Sequence, residues 1–267
     1  MGLSNSLAAD YDLSTEVFYI DNVIQVEQDN GTLRKKQQRP TSVNAGYRCN
    51  KVRGKSSEVY PFKDREEVNS IILTMDKHIN DAKTKQSRQF WCRNKLIFKI
   101  GINVGLRGSD LCSLKWSNFF YDNGELKEFE NIQPIKTRDT TGKYVKIYFN
   151  ENVKQALYEY LEQYPYQSLD DYVFASRKKN KGHITRDGLG KMLKTVAKES
   201  GIRHNVNSHS LRKTYGYTIW HNSPDRATAL VKLQAIFGHA SLRDTQKYIG
   251  IQDEEIKDVF HILDESY

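Results

Sequence analysis

Beyond Tyr60 the apolar residues recur mostly at helical intervals. PFKDREEVNSIILTMDKHIND sets Val68, Ile71, Ile72 and Met75 on one face behind an acidic first turn, which predicts a helix. RQFWCRNKLIFKIGINVG repeats the spacing through Phe90, Leu96, Ile97, Ile100 and Val104, and predicts a second, buried helix that Gly105 ends. Ser109 is placed to cap a short third helix over DLCSLKW. The period then changes. Residues 126–135 and KYVKIYF (143–149) flank the polar loop KTRDTTG, as the strands of a hairpin would. NENVKQALYEYLEQY predicts a helix capped by Asn150, DDYVFAS a short strand, and Thr185 the start of a helix running to Glu199. HSLRKTYGYTIW predicts a further helix. Another follows, with Ser223 as cap and Pro224 at its first position. After Tyr248, Ile256, Val259, Phe260 and Leu263 form the apolar stripe of an amphipathic helix. The overall expectation is a mainly helical α+β chain.

The 267 residues are enough for one large domain or two small ones. No apolar run approaches the roughly 20 residues that span a bilayer, and the start lacks a secretory pattern. Cys49, Cys92 and Cys112 are scattered and odd in number, which fits a reducing cytoplasm better than a disulfide framework. Charge changes the picture further. The net charge is +8, but residues 1–30 carry six acids and no Lys or Arg, and residues 249–267 carry six acids and one lysine. The segment between them therefore holds +19, which points to a polyanionic partner, most commonly nucleic acid. Gly31 to Ser57 hold eight Lys or Arg and no acid, the pattern either of an arm on DNA phosphates or of an unstructured tail. The expected division is an N-terminal segment over 1–56, a compact domain over 57–248 and a tail helix over 249–267.

Several side chains have the chemistry to act on a phosphate. GLRGSDL puts Arg107 and Asp110 on neighbouring positions of one helical face, where a carboxylate can orient a guanidinium, although a surface ion pair has the same spacing. HSLRKT puts His209 and Arg212 three apart, able to face one anion or simply solvent. Lys136 opens the hairpin loop. GHASLRDTQKYIG separates His239 from Tyr248 by nine residues. No His, Cys or carboxylate cluster has metal-ligand spacing.

Taken in order, GLRxxDL, a hairpin lysine, HSLRKT, FGHASxxxTxxYI and a final acidic helix resemble the tyrosine recombinases, the phage integrase family, over roughly residues 60–267. The resemblance implies an α+β, mainly helical catalytic domain with a small three-stranded antiparallel sheet or hairpin at one edge. It implies Tyr248 as nucleophile and Arg107 and Arg212 as clamps on the scissile phosphate. Lys136 would be the general acid for the leaving oxygen, His209 would assist proton transfer, His239 would hydrogen-bond the phosphate, and Asp110 would support Arg107. Lys213 stands where the family often has histidine. With Arg177, Lys178, Lys179 and Lys181 of the basic loop SRKKNKG, Lys213 is a candidate contact to the DNA backbone.

The implied activity is integration or site-specific recombination by a phage or mobile element, through a 3′-phosphotyrosine, with no metal, ATP or other cofactor. A type IB topoisomerase-like relaxing enzyme and an inactive DNA-binding relative are the alternatives. The implied partners are double-stranded DNA, other protomers (a tetramer on DNA, a monomer or dimer free) and accessory DNA-bending or directionality proteins, with no membrane. The family usually carries a separate helical core-binding domain before the catalytic one, and only the 1–56 segment stands before the expected catalytic domain here.

Overall fold

The computed structural model describes residues 58–136, 138, 142–177 and 182–251. The segment 1–56, the tail helix beyond Ile251 and the loop lysines Lys178, Lys179 and Lys181 lie outside the described residues. Among the described ones no helix is long and apolar enough to cross a membrane.

The described residues form eight helices and one hairpin, in order α1 (Arg65–Asn80), α2 (Lys85–Val104), α3 (Gly108–Cys112), a single 3-10 turn at Trp116–Asn118, β1 (Phe129–Ile132), β2 (Val145–Tyr148), α4 (Glu151–Leu161), α5 (Arg186–Glu199), α6 (Ser208–Asn222), α7 (Arg226–Phe237) and α8 (Leu242–Ile249). Helix α2 is the hub. It is capped by the Thr84 hydroxyl, which accepts the Ser87 N–H at 3.1 Å. It buries Leu96, Ile97, Phe98, Ile100 and Val104 against α1, α4 and α6. Apolar residues on several sides are what a helix needs when it is covered on several sides.

Two separate cores result. The larger joins α1–α5, the hairpin and the start of α6 around Phe62, Phe98, Phe119, Phe174 and Leu211. The smaller holds Tyr217 and Trp220 of α6, Leu230, Leu233 and Phe237 of α7, and Ile249 and Ile251 around the end of α8. Helix α6 belongs to both, so its middle turns lie at the seam between them.

Four local expectations are corrected. Ser109 does not cap α3; Arg107 occupies the cap position, with extended backbone and no capping side-chain bond. Helix α7 begins two residues after Pro224. Asp225 is its cap and accepts the Thr228 N–H at 3.0 Å, while the Ser223 hydroxyl donates to the Asp225 carbonyl. The hairpin forms with Phe129 opposite Tyr148 and Ile132 opposite Val145, but its sheet has two strands. A third strand is reduced to a single bridge, Phe120 to Leu126. DDYVFAS likewise makes only isolated bridges, Lys115 to Tyr172 and Ala175 to His183. Its Val173 and Phe174 are apolar because they fill the larger core, not because they pair in a sheet.

Candidate active site

The seam between the cores gathers Arg107, His209, Arg212, His239 and Tyr248 of the phosphate constellation, and no contact among the described residues joins Lys136 to them. Helix α6 starts with a reciprocal cap: the Asn207 side chain accepts the Ser208 N–H at 2.6 Å, and the Ser210 hydroxyl accepts the Asn207 N–H at 3.1 Å. This fixes His209 in the first turn and Arg212 one turn later. His209 is exposed, whereas Arg212 is only 4% exposed.

Gly105 ends α2 in the left-handed region, at φ 62°. The turn aims the Gly105 carbonyl at Arg212 Nη1, which donates to it at 2.5 Å. Nη2 donates to the Phe237 carbonyl at 3.3 Å, and the guanidinium lies 4.3 Å from the centre of the Phe237 ring. Burial pulls the Arg212 guanidinium down to about 10, which leaves it cationic at neutral pH.

Tyr248 sits on α8 beside these groups. Ser241 caps α8 by accepting the Asp244 N–H at 3.1 Å, and Ile249 and Ile251 anchor its far end in the smaller core. The Tyr248 ring meets Phe237 edge to face at 5.4 Å and His239 at 5.1 Å. Burial raises the phenol above its usual range. The charges of Arg212 and Arg107 and a hydrogen bond with the Arg212 side chain act in the opposite direction. The phenol and the two guanidiniums therefore share one electrostatic site.

His239 follows α7 directly, after Gly238. Its Nδ1 is 3.0 Å from the Thr245 hydroxyl oxygen. That hydroxyl donates to the Ser241 carbonyl at 3.3 Å, so it is free only to accept. We therefore assign the neutral imidazole its proton on Nδ1, with a lone pair on Nε2. Burial lowers the His239 pKa; the charge of Arg212 lowers it further, Asp244 opposes this, and Arg107 lowers it. His209, although its side chain reaches solvent, is also lowered, by the partial desolvation of its ring against the protein and then by the charges of Arg186, Arg212, Lys213 and Arg107. The imidazole in contact with the Tyr248 ring is thus that of His239.

The other expected positions divide. Asp110 is 2% exposed, and no ion pair joins it to Arg107 among the described residues. Its Oδ1 instead accepts the Ile135 N–H at 3.0 Å and the Ser109 hydroxyl at 3.4 Å. The carboxylate thereby ties the hairpin turn to α3, one residue before Lys136. Its negative charge acts on Arg212. Lys136 is exposed on the hairpin turn. Arg177 is exposed at the base of the basic loop, with its guanidinium 3.9 Å from the Phe90 ring centre.

Lys213 does not fit a surface phosphate contact. It is 7% exposed and its Nζ lies 5.4 Å from the centre of the Tyr248 ring. As the residue after Arg212 it turns about 100° around α6, toward the smaller core instead of solvent. Two contributors were not singled out from the sequence: Thr245, fully buried and fixing the His239 tautomer, and Arg186, whose charge acts on His209. Thr245 stands in the FGHASxxxTxxYI pattern, so its position was visible although its task was not.

Residues 62–255 match the phage integrase family. A probable integrase/recombinase, YoeC of Bacillus subtilis, is 29% identical over 172 residues, covering 64% of this chain and 84% of that protein. Tyrosine recombinase XerD of Oceanobacillus iheyensis is 27% identical over 205 residues, covering 75% of this chain and 63% of that protein. The chain spans about half to two-thirds of the length of the XerD relatives it matches. In fold it is similar to XerA recombinase, with a TM-score of 0.54 at 21% identity, covering 78% of this chain and 66% of that one. It is also similar to XerH site-specific recombinase bound to a palindromic difH substrate, with a TM-score of 0.53 at 22% identity, covering 78% of this chain and 55% of that one. By the match over most of its length, the chain belongs to the phage integrase family.

Proposed function

We propose that the chain cleaves and rejoins DNA as a site-specific recombinase or integrase, through a 3′-phosphotyrosine on Tyr248. The observation that carries this is the Tyr248 phenol beside the buried Arg212 guanidinium, with the charge of Arg107 on both. A phosphodiester gains charge on its non-bridging oxygens during attack. Two guanidiniums, permanently charged and rich in donors, stabilise that charge better than ammonium groups do.

The phenol is protonated at neutral pH and must lose its proton as it attacks phosphorus. Where the resemblance implies His209 as the aid to proton transfer, we assign the acceptor to the neutral imidazole of His239, whose ring meets that of Tyr248 and whose Nε2 carries the lone pair; His209, one turn before Arg212, is the other imidazole of the site. The P–O bond to the deoxyribose 5′ oxygen breaks, and that oxygen takes a proton from Lys136 on the hairpin turn. The phosphate stays on the tyrosine as a diester, so a DNA 5′ hydroxyl can reverse the step with no loss of bond energy. Double-stranded DNA is the substrate, and further protomers bound to it supply the second duplex. The free thiols of Cys92 and Cys112 fit a reducing compartment.

A duplex nicked close to the cleavage point tests this. The expected product is a covalent protein–DNA adduct in a denaturing gel, absent in Tyr248→Phe. A substrate with sulfur in place of the leaving oxygen is expected to rescue Lys136→Ala, since a thiolate leaves without a proton. An adduct that persists in Tyr248→Phe overturns the assignment.

A further inference from the structure

Arg212 and Lys213 are consecutive on α6, both are buried, and each rests on an aromatic ring: Arg212 on Phe237 at 4.3 Å and Lys213 on Tyr248 at 5.4 Å. The two rings meet each other at 5.4 Å, and His239 touches both. Tyr248 is therefore gripped at two places. The Arg212 side chain holds its hydroxyl end, and the Lys213 ammonium lies toward its ring.

A buried lysine is costly, because the ammonium gives up its water. An uncharged side chain of the same length would fill the space without that cost. Burial indeed lowers the Lys213 pKa, and the Glu58 carboxylate acts the other way. What the cation gains in return is the negative face of the ring and, when the phenol loses its proton, an opposite charge nearby.

We propose that Lys213 is a positioning residue for the nucleophile: its ammonium, buried against the Tyr248 ring, holds the phenol at Arg212 and favours the phenolate during attack. The proposal rests on Tyr248 being the nucleophile. The charged and titratable groups facing Tyr248 are Arg212 and Lys213 from α6, Arg107 from the start of α3 and His239 from the turn between α7 and α8, with Glu58 acting on Lys213. Removing one cation from this set raises the pH at which the phenol ionises. The effect falls on the alkaline side of the rate profile, away from the titration of His239.

The test uses the full chain and the nicked duplex, with single-turnover adduct formation followed against pH. DNA affinity and thermal midpoint are measured alongside. Lys213→Met keeps length without charge, and Lys213→Arg keeps charge. Lys213→Met is expected to form the adduct about tenfold more slowly near neutral pH, the scale of a desolvated cation–ring contact. Its rate curve moves to higher pH, with DNA affinity unchanged. Lys213→Arg is expected to recover most of the rate.

An unchanged rate and curve in Lys213→Met overturns the proposal. So does a slow Lys213→Met whose thermal midpoint has fallen and whose curve keeps its pH position, since that marks a packing role alone. Should Lys213→Met not fold, a Lys213→Arg variant with a wild-type midpoint but a rate no better than Tyr248→Phe overturns it as well. A wild-type chain that forms no adduct defeats the nucleophile assignment itself; a wild-type adduct with an indifferent Lys213→Met defeats only the role of Lys213.

Discussion

Arg107 and Arg212 have the same charge and different surroundings, so their loss has different consequences. Arg212 is held by the carbonyls of Gly105 and Phe237, which join the end of α2 to the end of α7 through α6. Arg107 is half-buried at the α3 cap position and has no such clip. Removing a preorganised donor from a developing oxyanion costs about 3 kcal/mol. Both alanine variants are therefore expected to form the adduct at least about a hundredfold more slowly. Only Arg212→Ala is also expected to lower the thermal midpoint, because it strands two buried carbonyls. Equal midpoints for the two variants would contradict the clip.

The two site histidines give a pH prediction at the same scale. Both have folded-state pKa values below the usual one near 6.5. In the window from the folded value up to about 6.5 the unfolded chain binds more protons, so stability rises with pH across that window. Acidification below about 6.5 is expected to lower the thermal midpoint, whereas adduct formation slows only below the depressed folded-state values, where the imidazoles of the site lose their acceptor form. Replacing His239 with Asn is expected to flatten part of the stability slope. A midpoint that rises on acidification through this range contradicts the assignment.

Helix α8 brings Tyr248, the proposed nucleophile, to the site, and it does so by close approach to α6. A Cβ on Gly216 would fall 2.6 Å from Ile249 Cγ2 and 2.8 Å from the Phe237 ring. Gly216→Ala is expected to cost about 1–3 kcal/mol through overpacking. The strain falls on the smaller core, so adduct formation should drop more than the stability of α1–α5 does. Amide exchange would show protection lost over α7 and α8 and retained over α2. Uniform loss would contradict two separate cores.

Helices were the most legible elements of the sequence, because their apolar spacing is set by the core they cover: Ile71 and Met75 on α1 and Ile97 and Ile100 on α2 are all fully buried. The α7 cap was misplaced because Ser, Pro and Asp follow one another and any of them suits a helix start; the Asp225 side chain takes the capping bond. Val173 and Phe174 read as a strand because a buried extended segment has the same composition whether or not it finds a pairing partner.

Over the whole molecule, chemistry was easier to read than placement. The order of Arg, Lys, His, Arg, His and Tyr is carried by short motifs. The burial of Lys213 and the turn of Asp110 toward Ile135 depend on how α6 and the hairpin pack, which no short motif records. The charge asymmetry belongs to this scale too. With acidic ends and a strongly basic middle, DNA affinity is expected to fall steeply with salt, and deletion of residues 31–55 to flatten the slope of log affinity against log salt. An unchanged slope after that deletion would remove the basic stretch from the DNA contact.

The central claim is that one chain supplies both the phenol and the guanidinium that act on one phosphate, as Tyr248 and Arg212 are arranged here. Mixing Arg212→Ala with Tyr248→Phe on the nicked duplex asks this directly. The wild-type chain forms the adduct, and the mixture is expected to form no more than either variant alone. An adduct restored by mixing would show that the nucleophile acts in a neighbour's pocket and would contradict a site completed within the chain.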